Sequence, residues 1–165
     1  MIWPREADGP LAHRDMPANV RELYEEARLV APLSRRASAA LARASLERLL
    51  RTLDDEAPAK ARLDERIARL APKVSSALAR NLTVLRYIGN DALHGTDEEA
   101  ELVALYLDAS SEAGIADVIF SAINELVDEL ITKPAEAERL FMQLPEGVRT
   151  AAERKAKAAG EDITK

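Results

Sequence analysis

The sequence predicts an all-α protein, a single-domain helical bundle. Apolar residues recur at intervals of three and four along most of its 165 residues, which is the spacing of one helix face. Alanine and leucine are abundant and only six residues are aromatic, a composition that favours closely packed helices over a sheet. Prolines and capping residues divide the pattern into helices of ordinary length. The chain length suits one domain with a substantial core.

The chain begins with a stretch, residues 1–16, that contains two prolines and Gly9 and shows no helical period. We interpret it as an irregular N-terminal arm. Ile2 and Trp3 are expected to hold this arm on the core. His13 has no second histidine or cysteine near it, so a metal role is not expected.

The first helix is predicted over residues 17–30. Asn19 and Glu22 have the spacing of a capping box, which would open this helix, and Pro32 would end it. The residues expected on its buried face are Val20, Leu23, Tyr24 and Ala27. The pattern does not decide whether Val30 is also buried.

A second helix is predicted from its capping residue Ser34 to Leu53, followed by a polar linker, residues 54–59. The larger apolar residues of that helix are Leu41, Leu46, Leu49 and Leu50. A short amphipathic helix over residues 60–70 comes next. We predict that it turns Leu63, Ile67 and Leu70 inward and Arg62, Arg66 and Arg69 outward.

Residues 74–95 form the stretch around which the other helices are expected to pack. Pro72 separates it from the preceding helix, and Gly95 stands where a glycine cap would end it. Gly89 lowers the stability of the helix, because glycine is a poor helix former. A glycine inside a helix often marks a place where another backbone or a ligand approaches closely. Its apolar face comprises Leu78, Leu82, Leu85, Gly89, Ala92 and Leu93.

Three polar residues, Arg86, Asn90 and His94, follow one another at four-residue intervals beside this apolar face. Each step drifts by about 40° around the axis, so they form a slanting row rather than a tight cluster. His94 would lie at the negative end of the helix dipole, which favours a protonated ring. The row is a candidate catalytic site. A structural use, with Arg86 paired to a carboxylate, remains the favoured interpretation.

After Gly95, Thr96 and Glu99 form a second capping-box pattern. Residues 102–107 are ambiguous between a short helix, which we favour, and an extended segment. A long helix should then begin at Ser110 or Ser111, because the residues from 115 to 130 have the most regular helical period in the chain. We expect this helix and the helix over residues 74–94 to form the central buried pair. Ile119 and Leu126 should then face the core.

Pro134 is expected to stop that long helix and to begin a further short one that contains Leu140, Phe141 and Leu144. Pro145 should end the bundle domain, which we therefore place at residues 17–145. The remaining charged tail, residues 146–165, is expected to be a frayed helix or disordered.

The net charge of −6 conceals an uneven distribution. Residues 35–86 contain 12 Lys and Arg against 6 Asp and Glu, whereas residues 87–148 contain 2 against 14. Such a division suggests helices that pair by opposite charge, within a subunit or between two, or a basic face for nucleic acid on region 35–86. Charged faces that are simply solvated remain the commoner explanation.

Several classes of site are excluded. The chain has no cysteine, so disulfides, thiol nucleophiles and cysteine-based zinc sites are absent. It shows no glycine-rich phosphate loop and no nucleophile elbow, and we expect no cofactor and no metal. No apolar run reaches the length of a membrane span, and the first residues do not form a signal peptide. A cytoplasmic protein is therefore expected.

Three segments carry a resemblance to a known family: MPANVRELYEEARLVAPLSRRASAALARASLERLL, VLRYIGNDALHG and INELVDELITKPAEAERLFMQLPEGVR. In this order they resemble the bacterial family catalogued as domain of unknown function 4145, over about residues 2–149. The Gly-Asn-x-x-x-His segment is the most recognisable part. Relatives that carry an N-terminal zinc ribbon differ from this chain, which has no cysteine. Fusions of the family to restriction-enzyme subunits imply a role in phage defence.

That family is in turn similar to the HEPN superfamily of helical bundles, many of which are metal-independent ribonucleases. Their arginine and histidine lie near a helix end and are often completed by a second subunit. The matching positions here are Arg86 and His94, with Asn90 between them. The resemblance implies that His94 would move a proton and that Arg86 would stabilise the phosphorane. The seven intervening residues, and Tyr87 after the arginine, depart from the usual pattern.

Three functions follow, in decreasing order of preference. The first is a non-catalytic interaction and dimerisation module of a defence or nucleic-acid-processing system, for which we expect a homodimer. The second is a HEPN-type endoribonuclease that uses Arg86 and His94. The third is a nucleic-acid-binding module that uses the basic region 35–86.

Overall fold

The computed structural model describes residues 7–91, 115–158 and 160, and within these ranges every regular element is helical. The all-α prediction is therefore confirmed. A 3₁₀ turn at Ala71–Lys73 precedes the fourth helix, and a π-helical turn at Asp128–Thr132 joins the fifth to the sixth. The α-helices of the described chain are α1 Ala18–Val30, α2 Arg35–Leu53, α3 Leu63–Leu70, α4 Ser76–Asp91, α5 Ile115–Val127, α6 Lys133–Met142 and α7 Glu146–Ala158.

The core is built by α1 to α5. Helices α1 and α2 form the most extensively packed pair, and α5 lies against both α2 and α4. The prediction that Ile119 and Leu126 face the core is confirmed, since both are buried. The contact of α5 with α2 is more extensive than its contact with α4, so α2 shares the central position that we expected α4 to hold.

The start of α1 corrects one prediction. Asn19 does not cap this helix, because Pro17 is the residue that precedes it and the backbone N–H groups of Val20 and Arg21 already donate to the Pro17 carbonyl. Asn19 therefore lies within the first turn, where its own carbonyl accepts a hydrogen bond from Arg48 Nη1 at 3.0 Å. Proline suits a helix start because its fixed φ fits there and its missing N–H is not needed.

The start of α2 agrees with prediction. Ser34 precedes the helix, and its hydroxyl accepts a hydrogen bond from the Ala37 backbone N–H at 3.2 Å. The helix ends at Leu53 as expected. Ser45 ties the two helices together by donating to the buried Val20 carbonyl at 3.1 Å.

Arg66 is the second correction, because it is buried rather than solvent-facing. Its guanidinium donates to the Asp54 carbonyl at 3.1 Å and to the Pro58 carbonyl at 3.2 Å. Beside it, Arg69 forms two hydrogen bonds to the buried Asp54 carboxylate, at 2.6 and 3.0 Å, and these hold the pKa of that carboxyl below its usual value. The loop between α2 and α3 is thus held by two arginines.

Pro134 lies in the first turn of α6 and so begins the short helix that was predicted, but helical structure is not interrupted between α5 and α6. The chain continues from α5 through the π-helical turn into α6, with the Lys133 N–H donating to the Asp128 carbonyl five residues earlier. A proline inside a helix lacks one hydrogen-bond donor and crowds the preceding turn. The wider π-helical turn immediately before Pro134 accommodates both effects without ending the helix.

The described part of the predicted tail is helical over Glu146–Ala158 and forms α7, which agrees with the helical one of the two predicted alternatives. None of the described helices is both long and apolar enough to cross a bilayer. Some predictions concern positions outside the described residues, namely Ile2, Trp3, Thr96, Glu99 and the segment 102–107.

Candidate functional site

The predicted row is only partly within the described chain. Arg86 and Asn90 lie in the last turns of α4, one four-residue step apart. His94 lies outside the described residues. The convergence of these three side chains on one site therefore stays a prediction, as does the role of Gly95 as the helix cap.

A different polar network, which the sequence did not indicate, joins the N-terminal arm to α1 and α5. Asn124 on α5 is its centre: its amide nitrogen donates to the Leu11 carbonyl at 2.9 Å and to the Tyr24 hydroxyl at 3.1 Å. Its amide oxygen accepts from the His13 backbone N–H at 2.9 Å. The Tyr24 hydroxyl in turn donates to the Pro10 carbonyl at 2.9 Å. Side-chain groups of α1 and α5 thus hold the arm through its backbone.

Tyr24 is suited to this role because burial raises its pKa to about 12, which keeps the hydroxyl protonated as a donor. Its ring lies 4.7 Å from that of Phe120, tilted by 58°. Gly9 packs directly over Phe120: a Cβ atom there would lie 3.0 Å from the Phe120 ring, and the φ of +87° also favours glycine. The arm is therefore fitted to the aromatic pair by shape as well as by hydrogen bonds.

The far end of the arm meets the π-helical turn. Asp15 accepts a hydrogen bond from the Thr132 hydroxyl at 2.8 Å, which lowers the pKa of the Asp15 carboxyl. His13 Nδ1 accepts from the Asp15 backbone N–H at 3.1 Å, and its Nε2 lies 3.9 Å from an Asp128 carboxylate oxygen. Both ring nitrogens of His13 thus face groups of the protein, an arrangement that attaches the arm.

This network is the part of the described chain that comes nearest to a metal-binding or acid–base cluster. His13, Asp15 and Asp128 lie together, yet nowhere in residues 7–91 or 115–158 do three such side chains converge as metal ligands would. π-helical turns are frequent at functional sites, but here the turn accommodates Pro134 and receives the arm. We assign the network to structure.

We expect Asn124→Ala to lower the free energy of unfolding by about 1–3 kcal/mol, because it removes the partners of three polar groups around the arm. Amide hydrogen exchange of residues 9–15 should rise more than that of α2, since the arm loses its attachment. Urea denaturation and hydrogen-exchange mass spectrometry measure the two effects. Asn81→Ala, at an exposed asparagine of α4, is the matched control. Unchanged exchange of the arm in Asn124→Ala would contradict the assignment.

The basic region has an exposed surface. Although Arg66 is buried and Arg69 is paired with Asp54, several cations of α2 to α4 and their connections are open to solvent. The exposed cations of this surface, apart from the paired Arg69, are Arg35, Arg36, Arg48, Arg51, Lys60, Arg62, Lys73 and Arg80.

The other notable surface is the α6–α7 extension, residues 133–158, in which neither helix contributes a buried residue. Four large apolar side chains within nine residues are exposed: Leu140 at 59%, Met142 at 56%, Leu144 at 42% and Val148 at 50%. Leu140 and Leu144 are four residues apart and so share one face, and an exposed apolar patch on a protein surface often marks a contact with a partner.

Comparison with known proteins supports the predicted family. No curated protein and no solved structure matches the chain significantly. Residues 25–143 match the family described as Domain of unknown function (DUF4145), from the second half of α1 through α6. The matched region covers most of the chain, so the protein belongs to the DUF4145 family.

Proposed function

We propose that this protein is a HEPN-like helical interaction and dimerisation module of a cytoplasmic system for defence or nucleic-acid processing. The observation that supports the proposal is the α6–α7 extension, which presents an apolar surface that nothing in the described chain covers. Apolar patches of this kind serve as contact surfaces between proteins.

Light scattering during size-exclusion chromatography tests the dimerisation. At micromolar concentration and low salt we expect a mass of twice the 18.1 kDa of one chain. The opposite charges of regions 35–86 and 87–148 predict that raising the salt concentration weakens any part of the contact that is electrostatic. A monomer at low salt would overturn the proposal.

The second candidate is a metal-independent endoribonuclease. The observation that favours it is the position of Arg86 and Asn90 one turn apart near the end of α4. In the sequence, His94 follows Asn90 by four residues. In that mechanism His94 transfers the proton of the RNA 2′-hydroxyl or of the leaving oxygen, and Arg86 stabilises the charge of the phosphorane.

Incubation of the purified dimer with labelled single-stranded RNA and a chelator tests this candidate. We expect no cleavage by the wild type and none by His94→Ala. Cleavage by the wild type that is lost in His94→Ala would establish the ribonuclease, whereas equal cleavage by both proteins would indicate a contaminant. If the protein instead binds the RNA without cleaving it, and its affinity falls steeply as the salt concentration rises, nucleic-acid binding by the exposed cations of region 35–86 would be favoured.

A further inference from the structure

The α6–α7 extension carries two apolar stripes, one on each helix. On α6 and the connection after it, Ala137, Leu140, Phe141 and Leu144 recur at three- and four-residue spacing, so they share a face. On α7, Val148, Ala151 and Ala158 share a second face. Apart from the half-buried Phe141, the members of both stripes are exposed.

The two stripes are not packed against each other within the chain. A hydrogen bond from Arg149 to the Met142 sulfur, at 3.1 Å, joins the helices, and neither helix has a buried residue. A helix of 13 residues is marginally stable in water on its own, and most helical stability in proteins comes from packing an apolar face. Within the described chain, no surface supplies that packing to the two stripes.

The charges beside the stripes differ in sign. Glu136 and Glu138 lie on either side of the α6 stripe. On α7, Arg154 lies beside the stripe and Lys155 lies within it. Glu138, Arg154 and Lys155 are exposed, and Glu136 keeps part of its carboxylate open although it binds Arg14 at 2.7 Å. The acidic flanks of the α6 stripe are complementary to an α7 stripe that has one lysine in its middle and an arginine at its edge.

We infer that the α6–α7 extension is the surface through which two copies of this chain associate, with the α6 stripe of each copy on the α7 stripe of the other. A two-fold axis makes the two contacts identical, as an isologous interface requires. The complementary partner surface is thus present in the same sequence. The inference rests on the proposed dimerisation and specifies where it occurs.

Charge reversal tests the pairing. Glu138→Lys places like charges at both contacts of a homodimer, and Lys155→Glu does the same with the opposite sign. Each variant should dimerise about tenfold more weakly than the wild type at low salt. An equimolar mixture of the two variants should recover most of the affinity, because in the mixed dimer the lysine introduced in one variant meets the glutamate introduced in the other. Sedimentation velocity of the full chain measures all three.

An apolar substitution tests the stripes. Leu140→Glu should weaken dimerisation by at least about tenfold, whereas Leu33→Glu, at a leucine that is 60% exposed outside the extension, should leave it unchanged. Neither side chain is in the core, so circular dichroism and the thermal midpoint should confirm that both variants fold.

The outcomes separate this inference from the proposed function. A wild-type dimer that Leu140→Glu and the charge reversals leave intact would overturn the extension as the interface, while dimerisation itself would stand. Weakening by each single reversal without recovery in the mixture would overturn the reciprocal pairing of the α6 stripe with the α7 stripe. A monomeric wild type would overturn both.

Discussion

Phe120→Ala is expected to lower the free energy of unfolding by about 3–5 kcal/mol, the range measured when a buried aromatic side chain is reduced to alanine. Phe120 has no exposed surface, and its ring contacts both Tyr24 and the backbone of Gly9. The substitution would remove the apolar contact between α5 and α1 and also the surface on which the N-terminal arm rests. Urea denaturation with linear extrapolation measures the change.

The chain offers a matched control, because its only other phenylalanine is Phe141 in the α6–α7 extension. Phe141 is half-buried on a helix without buried residues. Measured at a concentration at which the chains are dissociated, Phe141→Ala should therefore cost less than about 1.5 kcal/mol, within the ordinary range for positions outside a core. Equal losses for the two substitutions would contradict the placement of Phe120 at the centre of the packing.

Arg66→Ala should lower the free energy of unfolding by about 2–4 kcal/mol, because it leaves the Asp54 and Pro58 carbonyls of the α2–α3 loop without their donors. Part of the loss comes from the buried stem of the side chain. Arg66→Lys should restore only a fraction, since an ammonium group lacks the planar fork that reaches two carbonyls at once.

Arg80→Ala serves as the control for Arg66→Ala, because Arg80 is exposed on α4. We expect it to change the stability by less than about 0.5 kcal/mol. Thermal and urea unfolding of the three variants beside the wild type provide the comparison. An Arg66→Ala protein as stable as Arg80→Ala would mean that the loop carbonyls are satisfied by water.

Local features of the fold could be predicted from the sequence. Ser34 begins α2 and Leu53 ends it as expected, because capping and termination depend on residues within one turn of each other. The three- and four-residue spacing in α5 correctly placed Ile119 and Leu126 in the core. The family resemblance, carried by whole segments, was also correct.

The candidate site could be predicted only as a pattern. The spacing of Arg86, Asn90 and His94 places them along one helix flank, but whether they converge depends on what packs beside them. No pattern in the sequence indicated Asn124, whose three hydrogen-bond partners are Leu11, His13 and Tyr24. These partners are about a hundred residues away along the chain, and no local rule connects them.

The sequence by itself determined the helices and their core faces, because hydrophobic periodicity and capping act over a few residues. Only the tertiary structure decided the polar contacts. Arg66 follows Leu63 by three residues and precedes Leu70 by four, which places it at the edge of the apolar face, and the carbonyls of the α2–α3 loop hold it buried there. Pro134 begins a helix as predicted, yet a π-helical turn joins that helix to the one before it without a break. Both outcomes depend on hydrogen bonds of the backbone. Buried backbone N–H and carbonyl groups must be paired, and the packing of the folded chain decides which partners they find.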